Sequence, residues 1–252
     1  MKSRTALILT GILVAALVPA SRADDLEAVE QKLEKAWAKH KSVSAKMTLN
    51  THLAMGAMVM DGKGTGTLEM LNKDGKHYVR VEIENNVTQK MGEKENKLQQ
   101  KQLIVSDGEY SYTVQELGER KMAIKSDIDD RVTGSPKGNL DEYRKHNTLK
   151  LLPEETIDGA KTYVIEATPK QAGPRGASKT VFYYQQDSGL MVKMVQFGPD
   201  NKPVTTLTYH DIKFDTDISP ARFVFKAPEG VTVVDQTKKK DAKPIAKPPA
   251  KP

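Results

Sequence analysis

The chain contains no cysteine. That excludes disulfides, thiolate nucleophiles, sulfur-ligated metals and an acylated N-terminal cysteine. Aromatic residues are scarce at 6% of the 252 residues, with a single Trp. The five His (His40, His52, His77, His146 and His210) are scattered, and no two have the spacing of metal ligands. There is no His-Glu-x-x-His, no Gly-x-Ser-x-Gly and no phosphate-binding loop. With 33 acidic residues, some carboxylates will lie close by chance, so a carboxylate pair alone carries no catalytic meaning. A domain without disulfides must hold itself together by its core, and about 210 residues suffice for one.

Long apolar runs are also missing, except at the start. Lys2 and Arg4 precede an apolar stretch from Ala6 to Val18, and Ser21-Arg22-Ala23 follows with small residues at two positions a signal peptidase reads. The stretch is short for a membrane span. The pattern predicts a signal peptide over 1–23, cleavage before Asp24, and a soluble periplasmic protein. The overall formal charge of +6 misleads. Three basic residues stand before Asp24, and six Lys with Asp241 stand after Thr237; setting these aside leaves 30 basic and 32 acidic residues. A slightly acidic body argues against nucleic-acid binding, which needs a basic patch on the folded domain. Residues 238–252 are rich in Lys, Pro and Ala, cannot build a core, and read as an extended tail. Its cationic character suits an anionic membrane or cell-wall surface. The folded domain is therefore expected over 24–237.

Within that domain, Asp24 or Asp25 can cap a helix in which Leu26, Val29, Leu33 and Trp37 form one apolar stripe. Strand signals follow. Ala45, Met47, Leu49 and Leu53 alternate with polar residues. So do Leu68 and Met70, and then Val79, Val81 and Ile83. Asn72-Lys73-Asp74-Gly75 and Ser106-Asp107-Gly108-Glu109 read as turns. Polar Asn85 to Gln102 reads as a long exposed connection, and Gln115 to Leu152 as a less regular middle with a short helix near Leu140–His146. Strand signals return at 162–167, 180–185, 190–197, 204–214 and 222–225. The last of these, Arg222-Phe223-Val224-Phe225, is followed by a turn at Ala227-Pro228-Glu229-Gly230 and by alternating Val231 and Val233. One helix, many one-sided strands and a partly helical middle predict a mainly β fold with α: a curved antiparallel sheet carrying helices on one face.

Several blocks carry a resemblance in the same order along the chain. They are the N-terminal helix, Leu103-Ile104-Val105-Ser106-Asp107-Gly108 with its aromatic follower, and Tyr209 through Asp235 with its Phe-x-Phe-x-x-Pro-x-Gly-Val-x-Val pattern. Together they resemble the periplasmic lipoprotein carriers of the LolA family over most of residues 25–237. The resemblance implies an incomplete antiparallel β-barrel of about eleven strands with helices forming a lid over an apolar cavity. It implies a carrier or chaperone for lipoprotein acyl chains or other lipids, moving them towards the outer membrane. It also implies inner- and outer-membrane lipoprotein-sorting proteins as partners. One feature departs from the family. Where its carriers have an Arg-Pro pair that ties lid to sheet, this chain has Leu71-Asn72-Lys73-Asp74-Gly75, and Lys lacks the bidentate fork of Arg. A protein-binding envelope sensor on the same fold is the alternative; a hydrolase is a third, which a buried carboxylate or His facing the cavity would favour.

The candidate ligand-binding residues are apolar: Trp37, Met47, Leu49, Leu68, Met70, Val81, Ile83, Tyr110 and Tyr112. They either pack as an ordinary core or line a cavity beneath the lid. Met55, Met58 and Met60 mark a hairpin that either folds back onto the core or stays exposed to meet a membrane or acyl chain. Asp127, Asp129 and Asp130 lack the Gly and distal Glu of a calcium loop and read as a solvated loop. No catalytic residue, metal or cofactor is expected.

Overall fold

In the computed structural model the described residues are 23–128, 134–171 and 178–237. Residues 1–22 of the predicted signal peptide, the Lys/Pro-rich tail, and Asp129 and Asp130 of the acidic cluster lie outside them. The elements run in order as α1 (Ala23–Trp37), β1 (Ser42–Met55), β2 (Met58–Lys73), β3 (Lys76–Met91), β4 (Lys94–Asp107), β5 (Tyr110–Leu117), β6 (Arg120–Asp127), α2 (Pro136–His146), β7 (Asn147–Ile157), β8 (Ala160–Pro169), β9 (Lys179–Gln185), β10 (Met191–Phe197), β11 (Pro203–Phe214), a 3-10 turn at Pro220–Phe223, and β12 (Val233–Asp235). All twelve strands form one open sheet in the order β12-β6-β5-β4-β3-β2-β1-β11-β10-β9-β8-β7. The described residues are thus mainly β with two α-helices, as the strand alternation predicts, and they hold twelve strands where the family resemblance implies about eleven.

Four sequence expectations are corrected. Residues 85–102 are not a connection: they form the far half of the β3–β4 hairpin, in register from Tyr78 opposite Asp107 to Met91 opposite Lys94. They are polar because most of them are exposed, and solvated strands carry little hydrophobic signal. The middle is also more regular than expected, with β6 and most of β7 within residues 115–152. Arg222–Phe225 is not a strand. Ser219 caps the 3-10 turn by accepting from the Ala221 amide, and the chain then crosses the sheet to reach β12, which pairs parallel to β6. Lastly, α1 opens at Ala23, upstream of the anticipated caps.

Residues directly opposite one another in a ladder point to the same face. Continuous register from Leu49 through Leu207, Met194, Phe182 and Ile165 to Leu151 therefore defines one face across β1, β11, β10, β9, β8 and β7. Both helices lie on it. The α1 stripe is buried throughout: Leu26, Val29 and Leu33 pack with Leu140 of α2 and with Ile165, Phe182 and Tyr184 of the sheet. Trp37, one turn further, joins Val43, Leu68, Met70 and Val79. Helix α2 is fixed at its start by Ser135, whose Oγ accepts from the Gly138 amide and donates to Glu34 Oε2 of α1 at 2.9 Å. It is fixed along its length by Tyr184, whose hydroxyl donates to Asn139 Oδ1 at 2.9 Å, and by the edge-on contact of Tyr143 with Phe182. Strand β9 is buried on both faces, since Val181 and Tyr183, out of phase with Phe182, are also covered.

Candidate functional site

The same face continues across β1 to β6, and the ladder register places its rungs. The first rung, nearest Trp37, runs Val43–Met70–Val79–Ser106–Ser111–Ser126. The second runs Ala45–Leu68–Val81–Ile104–Thr113–Ile124. The third runs Met47–Gly66–Ile83–Gln102–Gln115–Met122, and the fourth Leu49–Gly64–Asn85–Gln100–Leu117. Seven of the nine sequence-predicted residues, Trp37, Met47, Leu49, Leu68, Met70, Val81 and Ile83, meet on this face.

The other two do not. Tyr112 sits opposite Val105 and Lys125, out of phase with Thr113, and so faces away from the helices. There the ring of Phe225 stacks on it at 4.4 Å with 9° between planes. Tyr110 shares that face and lies under Lys125 Nζ at 3.6 Å. The alternation of Tyr110 and Tyr112 is real, but alternation within one strand carries no register to the next, and the observed pairing puts both on the far face instead of under the helices. The 3-10 turn and the segment after it cover this second surface. Phe223 is buried beside Tyr78, Arg222 bonds Glu69 at 2.8 Å, and Arg80 donates to the Arg222 carbonyl at 3.2 Å. The aromatic pattern that carried the family resemblance is thus the strap that seals the back of the sheet.

On the helix face, burial falls off along the rungs. Leu68 and Val79 are buried beside Trp37, whereas Val81, Ile83, Ile104, Ile124 and Leu49 are half-buried, and Met122 and Leu117 are exposed at 45% and 41%. The glycines of β2 would make a trough in this surface, but two side chains fill it. Met47 lies over Gly66, where an added Cβ would stand 2.8 Å from its sulfur, and Asn85 lies over Gly62 and Gly64. Methionine is unbranched and adaptable, so this filling is readily rearranged. Two buried polar atoms on the first rung and above it, Ser106 Oγ and Trp37 Nε1, have no hydrogen-bond partner. Buried polar groups are normally paired, which marks this end of the face as short of acceptors and donors.

A second concavity, of about 560 Å³, lies between α1, α2 and β7, lined by Leu26, Glu30, Lys137, Arg144, Leu149 and Lys170 among others. Among its lining residues, Glu30 is buried at 6% exposure and paired with Arg144, which also holds Asp141. Burial holds the Glu30 carboxyl above the usual carboxylate range, against the opposing pull of Arg144. A raised folded-state pKa means that the native protein binds a proton the unfolded chain gives up. Stability tied to this group is full below the unfolded pKa and is lost as pH rises through the folded one. Glu30→Gln is therefore expected to flatten the pH dependence of stability across mildly acidic pH. Its midpoint of urea unfolding should match or exceed that of the parent at neutral pH and converge with it in acid; an unchanged pH slope would rule this out. Elsewhere, burial pushes Tyr209 up to about 12 and raises Tyr184 further, so both stay neutral. Among the described residues, no three His, Asp or Glu side chains are grouped to hold a metal ion, and no helix is long and apolar enough to cross a membrane.

No family model matches the chain. Over 134 residues, 52% of its length, it is 27% identical to MJ0687, an uncharacterized protein of Methanocaldococcus jannaschii. The match spans 37% of that relative. Among solved structures the chain is similar to MucB, at 14% identity and a TM-score of 0.46, over 81% of this chain and 64% of that one. It is similar to a putative outer membrane lipoprotein-sorting protein domain from Vibrio parahaemolyticus, at 12% identity and a TM-score of 0.34, over 78% and 96% of the two chains. It is also similar to the LolA superfamily protein NE2245 from Nitrosomonas europaea, at 14% identity and a TM-score of 0.27, over 79% and 97%.

Proposed function

We propose that this protein is an exported, non-enzymatic carrier that binds an acyl chain, of a lipid or of a lipid-modified protein, on the helix face of β1–β6. The observation that carries the reading is the run of half-buried and exposed apolar side chains, Leu49, Val81, Ile83, Ile104, Ile124 and Met122, that continues a packed core out from under the helices. A contiguous apolar surface left open on a soluble domain marks a binding site. Each methylene buried there contributes about 0.8 kcal/mol, so one long chain supplies most of an affinity with few polar contacts. Ser106 Oγ and Trp37 Nε1 lie at the closed end, where an ester or amide oxygen would give the indole N–H an acceptor.

One observation favours a second reading, a sensor or scaffold that binds proteins. The trough over the β2 glycines is filled by Met47 and Asn85, and a face filled by its own side chains suits a protein-binding surface. The two readings separate on one experiment. The protein is purified from its own periplasm under mild conditions and its organic extract is examined by mass spectrometry, followed by titration with a fluorescent fatty acid. A stoichiometric lipid and saturable uptake are expected of a carrier. An empty extract together with no uptake would leave the protein-binding reading. Transfer to the outer membrane, the sorting proteins as partners, and an attraction of residues 238–252 to anionic surfaces belong to the same proposal.

A further inference from the structure

Beyond the fourth rung the helix face runs on to the tips of two long hairpins. The fifth rung is Thr51–Gly62–Val87–Leu98 and the sixth is Leu53–Met60–Gln89–Asn96. The last is Met55–Met58–Met91–Lys94. The chain has ten methionines in all, and four of them meet on the last two rungs. Met55 is 47% exposed and Met91 65% exposed, while Met58 and Met60 are half-buried. Met58 is held by Gln89, whose Nε2 donates to its sulfur at 3.2 Å.

From this arrangement we infer that the methionine tip is a membrane-contact surface, through which an acyl chain passes between a phospholipid bilayer and the track below. The inference rests on the carrier reading, and deepens it by naming where the ligand enters. Three features commit the tip to a bilayer. It stands at the open end of the apolar track, continuous rung by rung with Leu49 and Ile83. Its exposed side chains are unbranched and polarizable, suited to a fluid surface with no fixed shape. Its flanks carry a cationic excess: residues 51–63 and 84–101 hold Lys63, Lys90, Lys94, Lys97 and Lys101 against Asp61, Glu84, Glu93 and Glu95, a net charge of +1, with Lys101 paired to Glu84. Lysine stems can lie along an apolar surface while their ammonium groups reach phosphate headgroups.

The only native Trp, Trp37, is buried at the closed end of the track, so the parent supplies the background signal from which the emission of a tip indole is read. A Met91→Trp variant of the full chain is mixed with vesicles of phosphatidylcholine and a minor share of phosphatidylglycerol, with brominated acyl chains as quencher. High salt screens the contribution of the Lys-rich tail. The added indole is expected to shift to the blue and be quenched beyond any quenching that the parent's Trp37 shows when an acyl chain enters the track. In parallel, Met55→Ser combined with Met91→Ser should leave uptake of a soluble fluorescent fatty acid within about twofold of the parent and slow its transfer out of vesicles about tenfold or more. Unquenched emission from the Met91→Trp variant, or parent-like transfer by the double variant, overturns the inference. So does a tip indole that vesicles leave unshifted but whose emission shifts on adding a purified lipid-modified protein, which would assign the surface to a protein partner. Failure of the parent to take up fatty acid from solution would instead strike the carrier reading, and the quenching result stands apart from it.

Discussion

Gly189→Ala is expected to lower stability by about 3 kcal/mol or more. Gly189 turns the chain between β9 and β10 at φ +72°, in the left-handed region that costs a residue with a Cβ about 1–2 kcal/mol. Space is the second term. An added Cβ would stand 2.3 Å from the Leu33 carbonyl oxygen and 3.0 Å from the Trp37 amide nitrogen, both backbone atoms of α1. A helix backbone cannot swing aside as a side chain can, so α1 must lift from the sheet, and overpacking of this kind adds about 1–3 kcal/mol. Gly159→Ala separates the two terms. Gly159 has φ +82° and nothing within reach of a Cβ, so it should lose only the conformational part. The check is the midpoint of urea unfolding for both variants, with near-UV circular dichroism reporting Trp37. Equal midpoints would show that α1 is not held as closely as the geometry indicates.

What makes that turn decisive was invisible in the sequence, although the elements on either side of it were legible. Leu26, Val29, Leu33 and Trp37 announce a one-sided helix because spacings of three and four have a single physical meaning, and all four are buried. Asp187-Ser188-Gly189 announces a turn for the same local reason. That the turn presses on the helix is a contact between residues about 150 positions apart, and no local period encodes it. The β3–β4 hairpin failed differently. Periodicity marks a strand through the contrast between a dry and a wet side, and residues 88–102 are exposed or half-exposed on both. The candidate site shows the same division. Phase along one strand was readable, so Met47, Leu68, Met70, Val81 and Ile83 share a face. Phase between strands depends on the turn that joins them, and the pairing of Ser106 with Ser111 puts Tyr110 and Tyr112 on the far side. The contrast that alternation implies between Leu49 and its polar neighbour Thr48 is also soft in the structure, because both are half-buried.

Ile83→Arg is expected to lower fatty-acid affinity roughly 100-fold while leaving a folded protein. Ile83 lies between Gly66 and Gln102 on the third rung, at the centre of the proposed track. It is only half-buried, so a guanidinium there can reach water along its own stem rather than be sealed in the core, and folding should survive. A ligand cannot make the same escape. To lie across this rung it must either strip water from the charge, which is costly, or give up the contact. Losing four methylenes of contact at about 0.8 kcal/mol each amounts to about 3 kcal/mol, which is the stated 100-fold at about 1.4 kcal/mol per decade. The paired control is Thr67→Arg on β2, which is exposed on the opposite face, in register with Lys46 and Glu82. It adds the same charge one residue from Gly66 and should change affinity less than about twofold, because the ligand never meets it. Titrating both variants with a fluorescent fatty acid, alongside their unfolding midpoints, gives the comparison. If the two bind alike with midpoints intact, the ligand does not lie on the helix face of β1–β6, and the half-exposed apolar run there serves another contact.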